Sequence, residues 1–251
     1  MHKPTERVLN ILLLLASEEN LNLSDISAMT KIPKSTLSPI LSTLVDREFI
    51  YKRIDHTYRI GINSHIVGKA YTSNSTVLEI IEKNMENIVS ECNEICQLGV
   101  LREDKVYYIA KKDPNQAIQL ISHVGKFLPA YSTSLGKILL SYKTNDEIKS
   151  IIGKNMKKMT NNTITDIDHL IHEIEDVRKN KYALDNAETS EEIECMAVSI
   201  EKDKQIIAGM SVSLPIYRST TEKLKKLKEI LFKYKDKIEQ ELVNLESASI
   251  F

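Results

Sequence analysis

Between Pro33 and Val45 the chain reads PKSTLSPILSTLV, with apolar residues at Leu37, Ile40, Leu41, Leu44 and Val45. That i, i+3, i+4, i+7, i+8 spacing is one buried face of an α-helix and does not fit the two-residue period of a strand. Pro39 sits inside the pattern, where it removes a backbone donor and crowds the carbonyl four residues earlier. The opposite face carries Ser35, Pro39, Ser42, Thr43 and Asp46, with no Arg or Lys. Starting the helix at Ser35 as N-cap forfeits only its first internal hydrogen bond, whereas a start at Pro33 predicts a kink. The stripe therefore demands a short helix packed on neighbours, with its proline turned outward.

The neighbours are legible on both sides. Val8, Ile11, Leu12 and Leu15 share one face of a helix over 4–17 that ends at SEEN. LSDISAMT follows as a second short helix, with Ser24 as N-cap and Asp25 in the first turn, where the helix dipole favours a negative charge. After the third helix, to about Arg47, FIYKRIDHTYRIG alternates, turns at Asp55-His56 and returns through Tyr58–Ile60, a small hairpin. Three helices and a hairpin within about 60 residues form the layout of a winged helix-turn-helix.

The remaining chain alternates α and β pieces. A helical segment ending in the polar TSNS reads as a linker, and Val77, Ile80, Ile81, Met85, Ile88 and Val89 mark a longer helix. CQLGVLRE, KVYYIAKK and QAIQLISHVG read as strands, TSLGKILLSY as a short helix, and 153–166 as a loop. DIDHLIHEIEDVRKNKY is a helix, CMAVSIEK and QIIAGMSVSL form a hairpin, and a Lys/Glu-laced helix closes the chain. This is an α+β organisation with an antiparallel sheet. The expected domains are 1–62, a linker helix 63–75, and 76–251.

Composition narrows the function. The chain has 251 residues, 42% hydrophobic and 27% charged, an ordinary globular composition long enough for two domains. A net charge of −1 supplies no global attraction for nucleic acid, so any basic surface is local. Three Cys without paired spacing fit a reducing, cytoplasmic setting, and VLNILLLLA is shorter than a membrane span, so no membrane partner is expected. There is no P-loop, no GxSxG, and with seven Gly no hidden Gly-rich phosphate loop. Cys92 with Cys96 and His169 with His172 make pairs but no four-ligand zinc set. No cofactor, no metal and no catalytic activity are expected.

Local charge is more informative. Lys31, Lys34, Arg47, Lys52, Arg53 and Arg59 stand against Asp46, Glu48 and Asp55, and His56 at the wing tip adds charge when protonated. Small hydroxyls at Ser35, Thr36, Ser38, Ser42 and Thr43 suit close approach to a phosphate backbone. The same residues also fit the solvated surface of a winged helix that contacts proteins. In the second half, Ser211 and Ser213 lie two apart on a strand and face one side, while Met210, Val212 and Leu214 take the other. Paired buried hydroxyls need partners, and a ligand carboxylate is one; a plain solvent face is the other reading. Amides near Ser134 and Leu135, at a helix start, offer donors to an anion. The run Glu188, Glu191, Glu192, Glu194 fits a solvated loop.

Three ordered segments resemble the IclR family of bacterial transcription regulators. They are LSDISAMTKIPKSTLSPILSTL with YRIG, then VGKFLPAYSTSLGKILLS, and IHEIEDVRKNKYALDNAETSEEIECMAVSIEKDKQIIAGMSVSLP. The resemblance implies a winged helix-turn-helix that binds double-stranded operator DNA and a GAF-like sheet domain that binds a small-molecule effector, in a dimer or a dimer of dimers. With DNA as the partner, the hydroxyl and basic residues read above give the expected contacts: Lys34, Ser35, Thr36, Ser38, Thr43, Lys52, Arg53, His56 and Arg59. It also matches Asp185, Cys195, Ser211 and Ser213, beside Ser134 and Leu135, to the effector site. The family usually carries Arg where this chain has Pro39, which shifts contact toward hydroxyls, Lys34 and the wing. Two competitors stay open: a ligand-binding module whose winged helix serves protein contacts, and a hydrolase with Cys195 as nucleophile, for which SEEIECMAV supplies only carboxylates.

Overall fold

The computed structural model describes residues 2–73, 76–114, 124–153, 156–243 and 245. They fall into two compact units, Met1–Ser75 and Thr76–Phe251.

The first unit begins with α1 (Lys3–Ser17), α2 (Leu23–Thr30) and α3 (Lys34–Asp46), continues through β1 (Ile50–Lys52) and β2 (Tyr58–Ile60), and ends in α4 (Ile62–Ser73). Ile11, Leu15, Ile26, Ile32, Leu37, Leu41, Leu44, Ile50 and Tyr58 form its core, so the stripe read from the sequence is the buried face of α3. The two strands pair antiparallel, with Tyr51 opposite Arg59.

Two helix starts differ from the sequence reading. Asn22, not Ser24, caps α2: its side chain accepts from the amides of Ser24 and Asp25, while Asp25 reaches back to the Asn22 amide. This reciprocal box satisfies several orphan donors at once, which a Ser24 cap two residues later would leave open. Likewise α3 starts a residue before Ser35, with Pro33 at the cap position and its carbonyl accepting from Thr36 and Leu37 at 2.9 Å each. Pro39 thus lies inside a continuous helix, on its exposed face, where water can reach the carbonyl it leaves without a partner. The Thr43 hydroxyl donates to the Pro39 carbonyl at 3.0 Å and reinforces the same turn.

The second unit is a six-stranded antiparallel sheet with helices on both faces. Its elements are α5 (Thr76–Cys92), β3 (Ile95–Arg102), β4 (Lys105–Lys112), β5 (Phe127–Pro129), α6 (Ser134–Leu140), α7 (Asn145–Ile152), α8 (Ile167–Asn180), β6 (Ala183–Asn186), β7 (Ile193–Lys202), β8 (Gln205–Pro215) and α9 (Thr221–Val243). The strand order is β5-β4-β3-β8-β7-β6. Most of QAIQLISHVG lies outside the described residues; the strand seen beside β4 is β5, with Val106 opposite Leu128.

Period-two alternation sorts the sheet into two faces. Leu98, Met196, Val198, Met210, Val212 and Leu214 point toward α5 and α9 and form the larger core with Ile81, Met85, Leu227 and Leu231. The other face meets α6, α7 and α8 through Leu135, Ile138, Ile148, Leu170 and Ile174. Glycine lets α6 come close there. A Cβ on Gly209 would meet Leu135 at 3.0 Å, and one on Gly136 would come within 2.0 Å of the Ala130 carbonyl oxygen. Among the described residues, no helix is long and apolar enough to cross a membrane.

Candidate functional site

Where α6 covers the glycine end of this second face, the other end stays open and polar. Register builds it row by row. Ser213 on β8 stands opposite Cys195 on β7, and Cys195 opposite Asp185 on β6, so three expected residues share one row. Ser211 lies in the next row, opposite Gln97 on β3. Ser134 comes from α6 and completes the expected residues that the fold brings to one cavity. The free space these residues enclose is small, about 40 Å³.

Leu135 is the exception. Its side chain is buried in the core between α6 and the sheet glycines, so only its amide, in the first turn of α6, is available at this end. The residues missed by sequence reasoning are Gln97, Tyr108, Leu128, Thr133, Thr189, Ser190 and Ile193, all at the cavity wall. Gln97 left one signal, an amide inside the apolar strand ICQLGVL. Thr133 and Thr189 carried none, because their roles depend on contacts across the fold: Thr133 caps α6 by accepting from Gly136 at 2.9 Å, and Thr189 donates to the Ser132 carbonyl at 2.9 Å.

The polar groups are ordered among themselves. Ser213 Oγ donates to Gln97 Oε1 at 3.2 Å and lies 3.1 Å from Cys195 Sγ. Burial pushes the Cys195 thiol up, and the nearby Asp185 carboxyl adds to it, so the thiol is the donor in that pair. A protonated, buried thiol is the reverse of what a nucleophile needs, which weighs against the hydrolase reading. Asp185 is 2% exposed and accepts from the Glu188 amide at 2.7 Å. Burial raises its carboxyl to about 7, the neighbouring Glu188 adding to the rise and the Glu188 amide opposing it.

Glu188 in turn accepts from Lys137, a side chain 1% exposed whose ammonium also donates to Glu173 and to the Leu184 carbonyl. Burial is the largest influence on the Glu188 carboxyl and raises it, despite the lysine. Thr160 and Thr163 tie the same loop down by donating to the carbonyls of Ala187 and Glu188. The acidic run therefore divides: Glu188 is buried and paired, while Glu191 and Glu192 are exposed as a solvated loop would be. No group of three or more His, Cys, Asp or Glu among the described residues is placed to hold a metal ion.

In the first unit the expected contact residues split by what they already hold. Ser35 and Ser38 on α3 are exposed, Thr36 is half-buried, and none of the three hydroxyls has a partner among the described residues. Thr43 has given its proton to the Pro39 carbonyl and can only accept. Lys34 donates to Ser24 Oγ at 2.8 Å, pinning the first turn of α3 to α2. On the wing, Arg53 and Arg59 both donate to Asn20 Oδ1, at 3.3 and 3.0 Å, a bridging residue that nothing in the sequence singled out. Lys52 lies over the Tyr58 ring, and His56 takes a left-handed backbone at the exposed turn. The described arrangement is a polar helix face beside a basic hairpin, which can approach phosphates and base edges.

Comparison with known proteins agrees with both units. The IclR helix-turn-helix domain pattern matches residues 4–53, and the bacterial transcriptional regulator IclR C-terminal pattern matches 69–240. The HTH-type transcriptional regulator KdgR of Escherichia coli is 29% identical over 221 residues, covering 87% of this chain and 84% of that protein. The crystal structure of an IclR transcriptional regulator from Alicyclobacillus acidocaldarius superposes with a TM-score of 0.86 at 20% identity, over 96% of this chain and 98% of its own. An IclR homolog from Microbacterium hydrocarbonoxydans, solved in complex with 4-hydroxybenzoate, gives 0.77 at 21% identity, over 94% and 97%. With a helix-turn-helix in its first unit and the family's C-terminal domain in its second, this chain belongs to the IclR family of bacterial transcriptional regulators.

Proposed function

We propose that this chain is a one-component cytoplasmic regulator whose affinity for double-stranded operator DNA shifts when a small carboxylate occupies the cavity above Ser211 and Ser213. The observation that carries this reading is the cavity itself: a small polar space whose wall gathers five of the six expected effector residues. The solved relative that holds 4-hydroxybenzoate supports an organic acid as the ligand class. Residues 1–62 bind DNA, 63–75 link, and 76–251 sense and assemble. The contacts we assign to DNA are the free hydroxyls of Ser35, Thr36 and Ser38 with Lys34, Thr43, Lys52, Arg53, His56 and Arg59.

The chain works as a homo-oligomer in this reading. Leu9 and Leu13 on α1 are each 55% exposed, and Ile66 and Val67 on α4 are 57% and 61% exposed, more apolar surface than a monomeric domain of this size needs. Coupling between effector and operator of this type is typically ~1–3 kcal/mol, about a 5–150-fold change in DNA affinity. A gel shift against DNA upstream of the chain's own gene, at two salt concentrations and with and without small organic acids, tests the reading. Binding should weaken steeply with salt and respond to one acid class. Salt-independent binding would point to the protein-contact alternative, and loss of no response in Ser211→Ala/Ser213→Ala would remove the cavity from the mechanism.

A further inference from the structure

The wall of this cavity holds one ionisable carboxyl and, among the described residues, no Lys, Arg or His. The nearest buried cation is Lys137 on α6, and it is committed elsewhere: its ammonium donates to Glu188, to Glu173 on α8 and to the Leu184 carbonyl. Among the described residues Glu188 Oε2 is buried without a partner, so that lysine is already shared by more acid than it can satisfy. Asp185 receives only the Glu188 amide from this cluster. The other titratable groups that face it are Tyr108 on β4 and Cys195 on β7, and burial holds both in their neutral, protonated forms. A carboxylate entering here would meet a buried acid whose nearest cation, Lys137, lies outside the cavity wall, eases Asp185 only in part and is shared with two glutamates, and two such carboxyls in contact cannot both remain ionised.

We propose that the cavity binds its carboxylate effector together with one proton from solvent, which Asp185 holds and donates to an effector oxygen. The inference rests on the carboxylate reading given above. The balance is simple: an ionised Asp185, a proton and a ligand carboxylate become a neutral acid hydrogen-bonded to a carboxylate, with the Ser211 hydroxyl as a further donor, since Ser213 already donates to Gln97. The burial that keeps Asp185 near 7 makes the proton available at neutral pH without making it permanent. Effector sensing is thereby tied to acidity. From pH 7 to 8 binding weakens about fivefold, and each further unit weakens it about tenfold, because the protonated fraction of Asp185 falls in that proportion.

Isothermal titration of the full chain with acetate, pyruvate and benzoate, in buffers of low and high ionisation enthalpy between pH 6 and 8.5, tests this. Uptake should approach one proton per carboxylate bound at pH 8.5 and fall toward zero at pH 6. Asp185→Asn should abolish the proton uptake and flatten the pH profile of whatever binding it retains. Binding by the unaltered chain with no proton uptake at any pH overturns the proposal and leaves the effector reading standing. Failure of every acid to bind overturns both. The buffer comparison on the unaltered chain needs no variant to fold.

Discussion

The two candidate surfaces of this chain use the same side chain for opposite ends. On α3, Ser35 and Ser38 stand in solvent with their hydroxyls unengaged, and the helix beneath is held by Leu37, Leu41 and Leu44. On β8, Ser211 and Ser213 are 1% and 2% exposed, with Met210, Val212 and Leu214 behind them. The difference follows from period and packing. A 3.6-residue period gives α3 one buried stripe and leaves the rest to water, whereas a strand between two helical layers buries both of its faces. An exposed serine costs nothing to leave unpaired and is free to meet a phosphate. A buried one needs partners, and Ser213 has them in Gln97 and Cys195. The first surface waits for a partner that covers it, while the second is organised before anything arrives.

The sharpest way to break this contrast is Asp185→Asn, read as stability against pH. The Asp185 carboxyl is raised to about 7 in the folded chain, so the folded state binds a proton more tightly than the unfolded state does. The stability this group contributes is therefore intact below about pH 4 and is lost as pH rises toward 7. Asn keeps an oxygen for the Glu188 amide and carries no charge. We expect the variant to match the parent near pH 4 and to exceed it by on the order of 3 kcal/mol at pH 8, in the transition of the second unit. Denaturant melts at the two pH values decide it. An advantage that does not grow with pH would mean that Asp185 is not the buried, only partly compensated acid described above.

On the exposed surface the corresponding change is Pro39→Arg. It restores the backbone donor that α3 lacks and puts a cation among the free hydroxyls. Nothing packs over that exposed position, so the fold of the first unit should tolerate it. We expect the log–log salt dependence of operator binding to steepen by about one unit and affinity to rise about tenfold at low salt. Gel shifts at several salt concentrations measure both. An unchanged slope would place Pro39 away from DNA and move the contact wholly to the wing.

How much of this was legible in the sequence depends on the range of the forces involved. The stripe of α3, the wing hairpin and the β7–β8 hairpin are local patterns, and each appears where its residues suggested. Ser211 and Ser213 share a face because a strand alternates, which needs no knowledge of the fold. The β6 strand went unread because four residues, ALDN, are too few to show a period, and KNKY before them reads as a helix tail. Lys137 looked like one more helical lysine; only the approach of α8 and of the loop after β6 makes it a buried ion-pair centre. Asp185 is legible only through the family resemblance, since the burial that distinguishes it arises from register across three strands.

The smallest expected effect concerns the start of α2, where sequence and structure disagreed about which residue caps the helix. Asn22 holds the amides of Ser24 and Asp25, and that leaves the Ser24 hydroxyl free to accept from Lys34. The cap and the tether of α3 are thus two residues with separate duties. Asn22→Ala should destabilise the first unit by about 1 kcal/mol, the usual cost of a lost N-cap. Ser24→Ala should cost only a few tenths, since its bond to Lys34 is exposed, and such bonds to water-accessible cations contribute little. Its effect should appear instead in DNA affinity, because Lys34 is then free to swing away from the first turn of α3. Thermal melts of both variants, paired with gel shifts, separate the two duties. If Ser24→Ala proved the more destabilising, Ser24 rather than Asn22 would be the cap of α2.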